Sequence, residues 1–101
     1  MQENEDQKQL DNEQYFFKLF ITGASPNSTR AISNIKSICE TNLGGKYNLE
    51  IIDVYQQPLM AESEQIIALP LLIKKTPLPE RRFIGDLSDT EKVLKGLGLI
   101  D

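Results

Sequence analysis

The stretch Ile66–Asp86 reads IIALPLLIKKTPLPERRFIGD. It holds three of the five prolines and four of the eleven basic residues. An apolar run enters the Leu69-Pro70 bond, and a residue before proline avoids the α region, so an element boundary falls at Leu69. Leu71–Lys75 then reads as a strand. Thr76-Pro77-Leu78-Pro79-Glu80 is a stiff loop, and Arg82–Gly85 a second strand. A connection this short permits only an antiparallel hairpin, because parallel strands need a crossover of a dozen residues or more.

Working upstream, Tyr15–Thr22 (YFFKLFIT) is a strand rich in aromatic and β-branched residues. Both of its alternating faces are largely apolar, which predicts a central strand covered on both sides. Ser25-Pro26 opens a helix, with Ser25 as cap and Pro26 at the first helical position. Ile32, Ile35, Ile38 and Cys39 follow at helical spacing, and Gly44-Gly45 stops the helix. Tyr47–Tyr55 is the next strand, and a right-handed crossover makes it parallel to the first. Pro58–Ala68 reads as a second helix with Met60, Ile66 and Ile67 inward and Glu62 and Glu64 outward. The run QIIALPLLI leaves a strand open as the alternative. Downstream, Ser88-Asp89-Thr90-Glu91 has the pattern of a capping box. Val93, Leu94 and Leu97 give the last helix its apolar face, which Gly96 and Gly98 weaken by about 1 kcal/mol each relative to alanine.

The 101 residues make one domain. Residues 1–14 carry Glu3, Glu5, Asp6, Asp11 and Glu13 against Lys8, a net of −4, and the other 87 residues are balanced. With Leu10 as its one large aliphatic side chain, this stretch reads as an acidic flexible arm ahead of a folded domain at 15–101. No basic footprint for nucleic acid is present. No apolar run approaches the ~20 residues that span a bilayer, and the polar start is no secretory signal, so a cytoplasmic location is expected. There is no histidine and one cysteine. That removes the commonest general base and metal ligand, and it excludes a CxxC pair and an internal disulfide. Neither catalysis nor a cofactor or metal is expected. On the apolar stripe of its helix, Cys39 reads as a packing thiol.

The element order β-α-β-α-β-β-α defines an α/β, thioredoxin-like arrangement, in which a cis-proline commonly precedes the third strand, and Pro70 stands there. Lys18-Leu19, Gly23, Ser25-Pro26-Asn27-Ser28, Arg30-Ala31 and Ile52-Asp53-Val54 carry a resemblance through the first half. Pro58, Leu59-Met60-Ala61, Pro70, Lys74, Pro77, Pro79 and the run Arg81–Leu97, RRFIGDLSDTEKVLKGL, continue it. On these residues, from about Tyr15 to Ile100, the chain resembles the KaiB family, small adaptors of the bacterial circadian clock. The resemblance implies a non-enzymatic adaptor that binds a KaiC-type hexameric ATPase in circadian timing or a stress response. It implies a histidine kinase competing for the same site, and a homo-oligomer, dimer or tetramer. It also implies two folds, the thioredoxin-like one and a ground state differing after Pro58. The local signals favour the thioredoxin-like one.

Under this resemblance Lys18, Arg30, Lys74, Arg81 and Arg82 form a charged partner-binding surface. Pro70, Pro77, Pro79, Gly85, Ser88 and Gly96 are the structural or fold-switch positions. Leu69-Pro70-Leu71 stands for a Thr-Pro-Thr-like run, and Leu78 interrupts a proline run. Glu50, Gln65 and Gly98 depart from basic, lysine and aspartate positions, which points to a divergent or non-oscillator paralogue. Two other readings remain. A thioredoxin-fold redox or glutathione-linked protein would place its nucleophile near Ala24–Asn27, where only Ser25 is present. A KaiB-like sensor module of a histidine kinase would require a longer chain.

Overall fold

The computed structural model describes residues 14–101. The acidic-arm reading falls on residues 1–13, outside the described residues, and on Gln14. The elements are β1 (Tyr15–Ile21), α1 (Pro26–Leu43), β2 (Tyr47–Asp53), α2 (Pro58–Ser63), β3 (Leu71–Thr76), β4 (Arg81–Ile84) and α3 (Thr90–Gly96). This is the expected β-α-β-α-β-β-α order. The four strands form one sheet in the order β2-β1-β3-β4. β1 runs parallel to β2 and antiparallel to β3, and β3 is antiparallel to β4.

β1 is central, as its apolar faces predict. Phe17, Leu19 and Ile21 point to one side, where α1 and α3 bury them with Ala31, Ile35, Ile38, Cys39, Leu72, Val93 and Leu97. Each large side chain buried this fully contributes roughly 1.5–3 kcal/mol over leaving it in water. Phe20 points to the other side and packs with Ile52, Leu71 and Ile73 beneath Met60, Ile66 and Leu69. Cover on that side is partial, because α2 has only six residues. Phe16, at the far end of β1, is 46% exposed.

α1 begins as its sequence dictates. Pro26 occupies the first turn, and the Ser25 hydroxyl accepts the Ser28 N–H at 3.3 Å. The buried Ser28 hydroxyl accepts the Thr22 N–H at 3.0 Å and the Ser25 hydroxyl at 2.8 Å. The β1–α1 turn is thus closed by a Ser/Thr cluster.

α2 ends earlier than the expected Ala68. Gln65 adopts a left-handed φ of 55°. Its N–H bonds to Glu62 O at 3.1 Å, and the Ile66 N–H reaches Ala61 O at 3.4 Å. Paired bonds of this kind, around a left-handed residue, are a Schellman ending. The chain then runs irregularly to the cis Leu69-Pro70 bond. Two side chains change places relative to expectation: Ile67 is 92% exposed, while Glu64 turns inward. Ile66 and Met60 do pack on the sheet.

β3 and β4 form the expected hairpin, extended by one residue to Thr76 and shifted by one to Arg81–Ile84. The register slips between Phe16 and Phe17, leaving Lys75 as the extra residue of a bulge. Thr76-Pro77 and Leu78-Pro79 are cis bonds as well. Gly85 leaves the strand at φ 109°, with its N–H on Pro70 O at 2.9 Å.

The capping-box expectation for Ser88 is corrected. The cap of α3 is Asp89, whose carboxylate accepts the Lys92 N–H at 3.1 Å. Asp86 Oδ1 accepts the Ser88 N–H at 3.0 Å, an Asx turn that draws Ser88 out of the cap position. Gly96 has a packing role: a Cβ there would stand 2.8 Å from Phe83 Cζ. Among the described residues, no helix is long and apolar enough to cross a membrane.

Candidate partner-binding site

The five basic residues expected to share a surface occupy three separate places. Lys18 on β1 and Arg82 on β4 lie on the α2 side of the sheet, where the Schellman turn presents Glu64. Lys18 Nζ is 3.7 Å from Glu64 Oε2, and Arg82 Nη2 is 3.4 Å from Oε1. Arg82 Nη2 also donates to Glu64 O at 2.8 Å, gripping the end of α2 by main chain and side chain together. The strongest partner is Lys75, at 3.0 Å from Oε2 and 3.2 Å from Oε1. Glu80 in the hairpin loop adds 3.5 Å to Lys75 and 3.8 Å to Arg82.

With its side chain 14% exposed, Glu64 is the hub of this network. The Lys75 hydrogen bond, with the charges of Lys75, Lys18 and Arg82, holds its carboxyl below the usual carboxylate range, against the burial that pushes it up. Lys75 shifts reciprocally upward, chiefly through the hydrogen bond to Glu64. Neither Glu64 nor Lys75 stood out as a site residue in sequence. The signal for Lys75 is alternation with Ile73, which places it on the α2 side. For Glu64 there is none, since its inward turn depends on where α2 stops.

Arg30 stands apart, at the start of α1. Its Nε is 3.1 Å from Asp86 Oδ2, and its guanidinium also bonds Asn27. Asn34 Nδ2 donates to Asp86 O at 2.8 Å, so α1 anchors the β4–α3 connection twice. The Ser88 hydroxyl and N–H, and then Arg30, hold the Asp86 carboxyl below its ordinary value.

Lys74 and Arg81 are cross-strand neighbours on the α3 side. Lys74 is 4% exposed, with Nζ 6.0 Å from the centroid of the Tyr15 ring, and packs in the wall of the groove that Arg81 borders. Arg81 is exposed. It borders a groove of about 320 Å³ with Tyr15, Pro77, Leu78, Lys95 and Gly98.

The β1–α1 turn, where a thiol would act in a redox protein of this fold, holds Ser25 and Ser28. The thiol of Cys39 lies inside the core, fully buried on α1, where desolvation and then Glu40 push its pKa up to about 12. A thiol so raised is almost wholly protonated at neutral pH and is a poor nucleophile.

The architecture is that of a thioredoxin-like domain. The structure aligns with the N-terminal domain of Synechococcus elongatus SasA at a TM-score of 0.69 and 23% identity, covering 87% of each chain. It aligns with the thioredoxin Deadhead of Drosophila at 0.68 and 13%, covering 99% of this chain and 95% of that one. The chain belongs to the KaiB family: the KaiB domain matches residues 18–99. It is 50% identical to circadian clock protein KaiB3 of Synechocystis sp. over 91 residues, covering 90% of this chain and 89% of that protein. It is 51% identical to circadian clock oscillator protein KaiB of Synechococcus elongatus over 86 residues, covering 85% and 84%. The resemblance read from the sequence is thereby established, and kinship with named clock proteins supports a clock-related role.

Proposed function

We propose that this protein is a non-enzymatic adaptor which, in the thioredoxin-like form, binds a KaiC-type hexameric ATPase and so regulates circadian timing or a stress response. The observation that carries the reading is half-identity to named clock proteins across 90% of the chain. The shared fold of the SasA N-terminal domain supports the idea that a histidine kinase competes for the same site. Within the site, Arg30 and Arg81 are the exposed cations best placed to meet an acidic partner, whereas Lys18 and Arg82 act by holding Glu64. Exposed Phe16, Leu59, Ile67 and Ile84 fit a surface that further copies cover in a dimer or tetramer.

The family's second fold requires packings within a few kcal/mol of each other. The region after Pro58 suits that requirement: α2 is short, and its end rests on a partly exposed ionic hub. Co-elution with the cognate KaiC-type ATPase in the presence of nucleotide tests the reading. No complex at tens of micromolar protein after hours of incubation defeats it. Turnover in an insulin-reduction assay would instead favour the redox alternative, against which the buried Cys39 and the serine-lined turn weigh.

A further inference from the structure

We propose that the outer edge of β4 is a docking site for an extended, acidic segment of a partner protein, which adds a strand to the sheet. β4 ends the sheet in the order β2-β1-β3-β4, so one side of its backbone has no strand beside it. Which groups face outward follows from the register. The Gly85 N–H bonds Pro70 O, one step beyond the Leu71–Ile84 pair. Backbone direction alternates along an antiparallel pair, so Phe83 bonds across to β3 while Arg82 and Ile84 turn their N–H and C=O away from it. Those groups open onto a groove of about 410 Å³ that Phe83, Lys92 and Val93 help to line. Beside them the Ile84 side chain is 63% exposed.

Charge selects the occupant. Arg81 and Lys92, both exposed, lie on the α3 side of this edge and take part in no ion pair among the described residues. The acids of the same groove are already engaged: Asp86 with Arg30 and the Ser88 N–H, and Asp89 with the Lys92 N–H. A strand laid antiparallel on β4 brings every second side chain to the α3 side, where acids meet Arg81 and Lys92. The residues between exchange backbone hydrogen bonds with Arg82 and Ile84. Their side chains lie against Ile84, which favours β-branched apolar ones. A second copy fits less well. Pairing β4 with itself about Phe83 sets Gly85 opposite Arg81 and leaves the cations unanswered. Pairing about Arg82 sets like charges opposite each other.

That the strand belongs to the ATPase rests on the function proposed above; the docking site itself does not.

The probe is the end-blocked peptide Glu-Val-Glu-Ile-Glu-Val, titrated to millimolar concentration into the isotope-labelled full chain and followed by amide shifts and hydrogen exchange. In the free chain the Arg82 and Ile84 amides exchange fast and Phe83 slowly, and the peptide slows Arg82 and Ile84. Two exposed ion pairs together are worth about tenfold in affinity, so the Arg81→Glu, Lys92→Glu double variant binds at least that much more weakly. Lys92 is the third residue of α3, where glutamate suits the helix dipole, so the variant keeps its fold. Two control peptides do not bind: Lys-Val-Lys-Ile-Lys-Val, and Glu-Pro-Glu-Pro-Glu-Pro, which keeps the charges without the N–H groups that must donate. Unchanged exchange at Arg82 and Ile84, or equal binding of either control, overturns the proposal. So does a response centred on β2, the other edge, which carries Glu50 and Asp53 and no cation. Protection of Arg82 and Ile84 that grows with protein concentration in the absence of peptide would make the occupant a second copy, and equally overturns it. ATPase association that survives in the double variant, while peptide binding is lost, upholds the site and strikes only its use by the ATPase.

Discussion

Lys75 Nζ lies 3.0 Å from Glu64 Oε2, joining the bulge of an inner strand to the turn that ends α2. A left-handed non-glycine residue costs about 1–2 kcal/mol, so Gln65 needs something to hold it. Glu64, immediately before it, provides that by meeting Lys75, Lys18 and Arg82 at once.

Glu64→Gln therefore lowers stability by about 1–2 kcal/mol in urea unfolding at pH 7, leaving three cations on one amide. The pH dependence follows from the shifts. The Glu64 carboxyl is depressed, so its contribution is present above the unfolded value of about 4.3 and is lost as pH falls through the lower folded value. Lys75 is raised, so its contribution is full below about 10.4 and is lost as pH rises through the higher folded value. The wild-type chain has an acid step below about pH 4 that Glu64→Gln reduces. An unchanged acid limb in the variant would remove the hub role.

Asp89 and Ser88 separate two readings of the last helix. Asp89→Ala removes the cap on the Lys92 N–H and costs about 1 kcal/mol. Ser88→Ala removes a hydroxyl from the exposed Asp86 turn and stays within about 0.5 kcal/mol. Paired thermal melts check this, and a reversed order would restore Ser88 as the cap.

Much of the fold was legible because local signals and tertiary packing agree. The aromatic β1, the Ser25-Pro26 start of α1 and the boundary at Leu69-Pro70 each have a short-range cause. The end of α2 was not legible, because Gln65 is an unusual left-handed residue and its support comes from β1, β3 and β4. For the same reason Glu64 read as solvent-facing. Lys74 and Lys75 are adjacent in a strand whose apolar run covers both faces, so nothing local showed which of them would be buried. Ser88 lost the cap to Asp89 through a competing Asx turn, a choice between two good capping residues one position apart.

Gly96 is where helix propensity and packing oppose each other. Gly96→Ala gains about 1 kcal/mol of propensity, but the new methyl must move the Phe83 ring, an overpacking cost of about 1–3 kcal/mol. The expected net is a loss of roughly 0.5–1.5 kcal/mol. In a Phe83→Leu background the same change becomes neutral or stabilising, because the ring atoms are gone. A double-mutant cycle measures this coupling, and additive effects would show that Phe83 does not require glycine there.

Lys74 and Arg81 face each other across the hairpin, yet they should respond to different measurements. Lys74 is 4% exposed beneath Tyr15, so Lys74→Ala removes packed methylenes and a cation over the ring, and about 1–2 kcal/mol of stability goes with them. Arg81 is exposed and absent from every ion pair among the described residues, so Arg81→Ala moves the unfolding midpoint by less than about 0.5 kcal/mol equivalent. Under the proposed adaptor function, Arg81→Ala should instead weaken association with the ATPase, and charge reversal to Glu should weaken it further, because a rim charge acts on encounter and its salt dependence. Lys74→Ala, assayed well below its own melting temperature, should leave association nearly unchanged. Unfolding curves and a salt series of association rates on both variants decide it: a stability loss at Arg81, or a binding loss confined to Lys74, would reverse the assignment.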